Sequence, residues 1–230
     1  MERFMTPSAS PRDLPAAELA ALLCARICHD LVSPVSALGT ALDVLDDPSA
    51  SDMHDEALNL IRASSAQASA KLEFARLAFG AGTSAPGQVA TRELKRLVDG
   101  VFGAAKAEII WRVAAPSLSK QASRLLLNLV LLAVESAPRG GEIVVEAASA
   151  ARMRIHVEGD RIRLLPTTAD ALDGLEPEQG FDGRSIQPYY TGLMARDLGG
   201  RAEGLAAGES IEFIALTTVD LESKTHANAV

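Results

Sequence analysis

A histidine, an aspartate and a proline stand close together near the start of the chain, at His29, Asp30 and Pro34. An imidazole that faces solvent is a nucleophile near neutral pH. A neighbouring carboxylate favours the tautomer that leaves one ring nitrogen with a free lone pair. Adjacent residues diverge by about 100° on a helix, so contact between the two side chains depends on their rotamers. The pair indicates nucleophilic chemistry at His29, with an ordinary surface histidine as the alternative.

Pro34 lies well inside a segment whose apolar pattern predicts a helix. A proline at that position removes the helical hydrogen bond to the carbonyl of Asp30 and strains the turn, at about 3 kcal/mol. Because no turn residues surround it, we interpret the proline as a functional bend beside His29. An incidental kink is the alternative.

The remaining histidines and the two cysteines give weaker signals. His54 lies near a predicted loop, His156 on the polar face of a predicted strand and His226 in the tail, and we interpret all three as structural or solvated. Cys24 and Cys28 are four residues apart, which is neither a C-x-x-C redox motif nor half of a zinc site. We expect two small buried thiols in a reducing cytoplasm.

Two long amphipathic helices must position His29. Apolar residues recur every three or four positions from Leu14 to Asp46 and again up to Gly80, with a break at Asp46-Asp47-Pro48-Ser49. Two antiparallel helices of about 30 residues leave half of each apolar face wet, and a second copy is the simplest source of a covering pair. The sequence therefore predicts a helical hairpin over residues 14–80 that forms a homodimeric four-helix bundle.

A second domain follows an uncharged stretch rich in Gly, Ser and Pro at residues 80–88. Helical and alternating patterns after it predict a two-layer α/β domain over residues 89–218. In this domain helices cover one face of a mainly antiparallel sheet. The two ends, residues 1–13 and 219–230, are predicted to be flexible.

The charge and the hydropathy exclude two classes of partner. The chain has 30 acidic and 22 basic side chains and a net charge of -8, whereas nucleic-acid binding depends on clustered Lys and Arg that displace counterions. We identify no apolar run near the roughly 18 residues of a membrane span and no apolar signal-peptide core. We therefore expect no nucleic-acid partner, no membrane partner and a cytoplasmic protein.

His29, followed by an acid and by a proline five positions later, resembles the phosphoacceptor motif of histidine kinase dimerisation domains. Leu31 and Ser33 also fit that motif, whereas Val32 replaces the usual basic residue. The resemblance implies that His29 is the phosphoacceptor of a dimeric helical bundle.

Longer stretches resemble one family more closely, the ChpT-type histidine phosphotransferases of alphaproteobacteria. These stretches are Ala25 to Pro34 and Asp46 to Ala50, and Val101-Phe102 and Gly199-Gly200 fit as well. The resemblance covers residues 16–217. It implies that the second domain has the fold of the histidine kinase (GHKL/Bergerat) ATP-binding domain.

Three features of that fold that bind ATP are missing from the sequence. When Asn128 is aligned with the first asparagine of the magnesium-binding helix, Leu132 takes the place of the second, and an apolar side chain cannot ligate a hard cation. The segment Glu158-Gly159-Asp160-Arg161 is interpreted as a tight hairpin turn into a strand over residues 161–165, with no room for a nucleotide loop. Ser185-Ile186-Gln187-Pro188 replaces the second glycine box. We therefore expect no ATP binding, a degeneracy that the family shares.

The resemblance implies a histidine phosphotransferase in a multistep phosphorelay. His29 would accept a phosphoryl group from the phosphoaspartate of a hybrid kinase receiver domain and pass it to the receiver domains of response regulators. Asp30 would orient the ring and offset its charge. The receiver brings the Mg²⁺, so no cofactor or metal is expected on this chain. The predicted docking residues are Arg26, Ser33, Ser36 and Leu38.

Two other functions stay open at the level of the sequence. A non-catalytic dimeric adaptor would keep the kinase shape without using His29. An active histidine kinase would need an ATP site. Leu132 in place of the second asparagine and the missing glycines disfavour such a site.

Overall fold

The computed structural model describes residues 11–80 and 87–218. Most of the predicted linker and of the predicted flexible ends lies outside these residues, as does His226, and those predictions stay predictions. The predicted domain boundaries stay predictions as well.

The N-terminal part is a pair of packed helices, α1 (Ala16–Asp46) and α2 (His54–Ala78), joined by a 3₁₀ helix (Pro48–Met53). Asp47 ends α1, and its carboxylate accepts hydrogen bonds from the backbone N–H and the hydroxyl of Ser49 at 2.8 and 2.7 Å. These bonds satisfy donors that the change of direction leaves free. The predicted helical hairpin is confirmed.

The C-terminal part combines a sheet with helices. Its elements in chain order are β1 (Gln88–Ala90), α3 (Thr91–Phe102), β2 (Ala107–Val113), β3 (Ser117–Ser119), α4 (Lys120–Ser136), β4 (Gly141–Ser149), β5 (Arg152–Glu158), α5 (Pro166–Leu172), α6 (Ile186–Asp197), β6 (Arg201–Ala207) and β7 (Ser210–Leu216).

Five strands form one sheet in the order β2-β4-β5-β7-β6. Only the β2–β4 pair among these is parallel, and the other three pairs are antiparallel. Strands β1 and β3 form a separate two-stranded ribbon. The prediction of a mainly antiparallel sheet with helices is confirmed.

The core lies between the sheet and α4. Leu125 and Leu129 of α4 are fully buried with Ile155 and Phe213, which point to the same face of the sheet. The alternate side chains of β5 face the other way, where Arg154 forms ion pairs with neighbouring strands. One face of the sheet is therefore covered by helices and the other is charged, as the alternation in β5 predicts.

The predicted strand over residues 161–165 is wrong. These residues, all in the described part of the chain, form a turn and an irregular segment outside the sheet, and Arg163 donates its N–H to the Ser136 carbonyl at 2.8 Å. The physical reason is that β5 is already paired on both edges, with β4 and β7. A strand that turned back after Gly159 would find neither edge of β5 free.

One face of the hairpin remains exposed and apolar. Val35 and Leu42 are exposed, and so are Cys24 and Cys28, which lie on the same side of α1 at heptad spacing. The prediction of buried thiols is therefore wrong within this single chain. The cause is that α2 and the α/β part cover only the opposite side of α1.

Helix α1 is, among the described residues, the one helix long and apolar enough to cross a membrane. A buried core helix of a soluble protein and an N-terminal signal sequence pass the same test, and the expectation of no membrane partner stays a prediction. Its N-terminal turns pack against α6, where Leu14 and Tyr189 are buried together and the Leu14 N–H donates to the Tyr189 hydroxyl at 3.2 Å.

Candidate functional site

His29 lies on α1 with 59% of its side chain exposed. Its Nδ1 is 3.3 Å from Oδ1 of Asp30. Because a carboxylate only accepts, this contact favours the tautomer with the proton on Nδ1, and it leaves the Nε2 lone pair free. Adjacent helical residues diverge, yet these two side chains have rotamers that meet.

Arg26, one turn earlier on α1, holds the other oxygen of Asp30. Its Nε donates to Oδ2 at 3.0 Å, and its Nη2 pairs with Glu135 of α4. Burial lowers the pKa of the Arg26 guanidinium, but the charges of Glu135 and Asp30 outweigh it, so this pKa is raised. Arg26 is therefore not exposed, because its guanidinium is buried between Asp30 of α1 and Glu135 of α4. Its predicted part in docking stays a prediction.

Pro34 is buried and α1 continues through it. The carbonyl of Asp30, which has no helical N–H donor at position 34, accepts a hydrogen bond from Nζ of Lys71 on α2 at 2.7 Å. The missing bond is thus replaced from the second helix. Asp30 is held at its carboxylate by Arg26 and at its backbone by Lys71.

The other predicted docking residues divide into two groups. Ser33 and Ser36 are exposed and lie one and two turns beyond His29 on the same side of α1. Leu38 is half-buried and nine positions from His29, which places it on the opposite side of the helix. The structure therefore does not bring Leu38 together with the site.

His29 and Asp30 face a cleft of about 950 Å³ between α1 and the α/β part. The far wall includes Leu132 of α4, Asp182 and Arg184 of the segment before α6, and further residues of that part. The cleft is open to solvent, so a protein loop or a small domain edge can approach the His29 ring.

Asn128, the residue aligned with a magnesium-binding asparagine, is fully buried and has no free donors. Its amide donates to the carbonyls of Ala78 and Arg124 at 2.9 and 2.8 Å, and its oxygen accepts from Gln187. It therefore ties α4 to the end of α2 and to α6. Leu132, one turn later, lines the cleft with an apolar side chain.

The start of α6 offers no cradle for phosphates either. Oδ1 of Asp182 accepts the backbone N–H groups of Arg184 and Ser185 at 2.9 and 2.7 Å, and the Ser185 hydroxyl at 2.8 Å. These bonds, that from the Ser185 backbone first, lower the pKa of Asp182. The resulting negative charge stands where a nucleotide phosphate would need donors.

No cluster of three or more His, Cys, Asp or Glu within residues 11–80 and 87–218 could hold a metal ion. His54 and His156 are distant from this site in the sequence and are not among the residues that line the cleft.

Sequence reasoning missed Glu135 and Lys71. Glu135 lies three residues after Leu132, so the two share a face of α4, but only the packing of α4 beside α1 brings its carboxylate to Arg26. Lys71 is 41 positions from Asp30. The carbonyl left free by Pro34 was the signal that a donor should stand nearby.

An exposed histidine on the first helix of a hairpin, beside an α/β part, is an arrangement that suits a histidine phosphotransfer protein. A model of the histidine phosphotransferase C-terminal domain matches residues 91–210. The chain is 38% identical over 208 residues to the protein phosphotransferase ChpT of Brucella abortus (strain 2308), covering 89% of this chain and 98% of the relative.

A solved structure, the 1.7 Å structure of a bacterial phosphotransferase, superposes with a TM-score of 0.79 at 36% identity. The match covers 90% of this chain and 99% of that one. The chain therefore belongs to the ChpT-type histidine phosphotransferase family, and its class of activity is phosphotransfer in two-component signalling.

Proposed function

We propose that this chain accepts a phosphoryl group on Nε2 of His29 from the phosphoaspartate of a hybrid kinase receiver domain. It then passes the group to the aspartate of response regulator receiver domains. The observation that carries the proposal is the exposed His29 ring, which has Nδ1 against Asp30 and faces an open cleft.

The forward step forms one bond and breaks one. The Nε2 lone pair attacks phosphorus in line, the phosphorus–oxygen bond to the receiver's aspartate breaks, and the aspartate leaves as a carboxylate. The Nδ1 proton stays on the ring, whose positive charge Asp30 offsets. In the return step an acceptor carboxylate attacks phosphorus and the nitrogen–phosphorus bond breaks, which restores neutral His29.

Mg²⁺ belongs to the receiver in this proposal and neutralises the phosphoryl oxygens there. Ser33 and Ser36, which extend the exposed face of His29, and the far wall of the cleft are proposed as the docking surface. The engagement of Asn128 and the charge of Asp182 support a protein that does not bind ATP. We assign it to the cytoplasm, where receivers are found.

The test is phosphoryl transfer from a radiolabelled, phosphorylated receiver domain to the full chain. Label should appear on the wild type and on His54→Ala but not on His29→Ala. Persistence of label on His29→Ala would overturn the assignment.

The same assay separates the two alternatives. An adaptor predicts no label from any receiver and unchanged partner binding by His29→Ala. A kinase predicts label from ATP without a receiver, which the contacts of Asn128 and Asp182 make unfavourable.

A further inference from the structure

An uninterrupted chain of charged side chains joins the α/β part to the His29 ring. Glu135 on α4 pairs with Nη2 of Arg26, Nε of Arg26 pairs with Asp30, and Asp30 meets Nδ1 of His29. Arg26 and Asp30 each use two different atoms for their two contacts, so both contacts of each residue form at the same time.

Arg26 is the buried centre of this chain, with only 5% of its side chain exposed. Removing a partner of a buried guanidinium destabilises the folded protein, because the remaining charge is no longer compensated. Its planar fork also fixes the direction of each hydrogen bond. The Asp30 carboxylate therefore cannot rotate away from His29 without breaking a pair that burial makes strong.

The packing between α1 and α4 is loose at this level. A cavity of about 190 Å³ lies among α1, α2, α3 and α4, and Ile27, Phe102 and Leu131 line it together with Arg26 and Glu135. The Arg26–Glu135 pair is a direct side-chain contact between α1 and α4 beside this cavity.

A second ion pair between the same two parts has a different setting. Arg96 of α3 pairs with Glu73 of α2 at 2.9 Å, and these side chains are 57% and 47% exposed. Exposed ion pairs contribute little to the stability of the fold, and salt screens them. This pair connects the hairpin to the α/β part away from His29, and it is a matched control.

We infer that Arg26 and Glu135 are positioning residues for phosphotransfer, through which the α/β part fixes the orientation of Asp30 and hence of the His29 ring. The inference rests on the proposed role of His29 as phosphoacceptor. It gives the α/β part a role in the chemistry, beyond docking and without ATP.

The test measures single-turnover transfer from a phosphorylated receiver to the full chain as receiver concentration rises. Glu135→Gln keeps the shape but removes the charge that holds Arg26, and it should lower the maximal rate constant about 10-fold, since small displacements of reacting groups slow reactions strongly. The receiver concentration at half-maximal rate should not change. Glu73→Gln should leave both quantities at the wild-type values.

Arg26→Met should slow transfer at least as much as Glu135→Gln, and the double variant should be no slower than Arg26→Met alone, because Glu135 acts only through Arg26. Nitrogen-15 spectra of His29 give a second readout. They should show one tautomer, protonated on Nδ1, in the wild type and a mixture in Glu135→Gln. The side chain of Glu135 is partly exposed, so Glu135→Gln should fold. It therefore tests the inference even if Arg26→Met does not fold.

The outcomes are distinct. A raised half-maximal concentration at an unchanged maximal rate would make Glu135 a docking residue and overturn the inference. Wild-type rates and a single tautomer in Glu135→Gln would also overturn it, while loss of label in His29→Ala would keep the proposed function. Label on His29→Ala would remove the proposed function itself.

Discussion

Asp30 is shared between a cation and the imidazole, and this sharing governs the chemistry available to His29. One carboxylate oxygen is held by Arg26 at 3.0 Å, and the other is 3.3 Å from Nδ1 of the ring. A carboxylate fixed in this way both selects the tautomer and offsets the charge that phosphorylation places on the ring. A freely rotating aspartate would do neither reliably.

Replacement of Asp30 by Asn tests this role. The amide keeps the shape but lacks the charge and can offer an N–H to Nδ1, which favours the wrong tautomer, so transfer should slow by about 10- to 100-fold. Stopped-time transfer assays with a labelled receiver measure the rate, and Asp43→Asn, an exposed aspartate on the same helix, is the control. An unchanged rate in Asp30→Asn would make the carboxylate a bystander.

Lys71 and Pro34 form a second testable pair at this scale. Lys71→Met leaves the Asp30 carbonyl without its donor and should lower the free energy of unfolding by about 1 kcal/mol. Pro34→Ala restores the helical N–H to that carbonyl, so Lys71→Met should have almost no effect in the Pro34→Ala background. Urea unfolding of the four proteins measures this coupling.

Pro34→Ala should also slow transfer, because the helix around His29 then takes a regular path. Equal losses from Lys71→Met in both backgrounds would show that Lys71 acts elsewhere. Faster or unchanged transfer in Pro34→Ala would show that the proline is incidental to His29.

At the scale of elements, the helices could be predicted and their surroundings could not. The three-to-four spacing in α1 and α2 reports which face is apolar, and His29, which lies outside that spacing, is exposed. Arg26, one turn before His29, also lies outside that spacing, yet its side chain is buried. Its burial depends on α4, about 100 positions further on, and no local pattern records which helix packs there.

The strand predicted at residues 161–165 was wrong for a similar reason. Local alternation after Gly159 suits a strand, but a strand also needs a free edge, and β4 and β7 occupy both edges of β5. A local pattern therefore predicts a strand correctly only where a neighbouring strand has a free edge to pair with. The hydrogen bonds that Asp182 accepts before α6 were visible only in the fold.

The start of α6 yields a pH prediction. Hydrogen bonds from Ser185 and Arg184 lower the folded-state pKa of Asp182 from its ordinary value of 3.8. A lowered folded-state pKa contributes stability that is present above the ordinary value and is lost as pH falls through the folded-state pKa. Asp182→Ala should thus lower the free energy of unfolding by about 1 kcal/mol at pH 7, and the difference should shrink below about pH 4.

Thermal unfolding at a series of pH values measures that difference. Asp173→Ala, an exposed aspartate in the same part, controls for the loss of a surface charge. A difference that stays constant down to pH 2 would show that the Asp182 contribution does not depend on its charge.

At the scale of the whole molecule, the exposed apolar face of the hairpin requires a cover. Val32, Val35, Leu42 and Leu72 are each more than half exposed. An apolar stripe along two long helices is the surface that a second helix pair buries in a four-helix bundle. We therefore expect the homodimer that the sequence predicts, with both His29 rings on its flanks.

Val35→Glu tests the dimer. Burial of an unpaired carboxylate at the centre of the stripe costs several kcal/mol, so the dimer affinity should fall by at least about 100-fold. Sedimentation velocity should show a dimer for the wild type and a monomer for the variant at micromolar concentration. Leu205→Glu, an exposed apolar residue of β6, should remain dimeric. A monomeric wild type would contradict the bundle.

The reactivity of the two cysteines in the wild type gives a second test of whether this surface is the dimer interface. Cys24 and Cys28 are exposed in the single chain and lie on the side of α1 that carries Val35 and Leu42. If that side is the dimer interface, both thiols are shielded in the dimer. Their reaction with a thiol reagent should then slow as protein concentration rises, and Val35→Glu should react quickly at every concentration. A wild type that reacts at the same fast rate throughout would place the interface on another face, even if sedimentation showed a dimer.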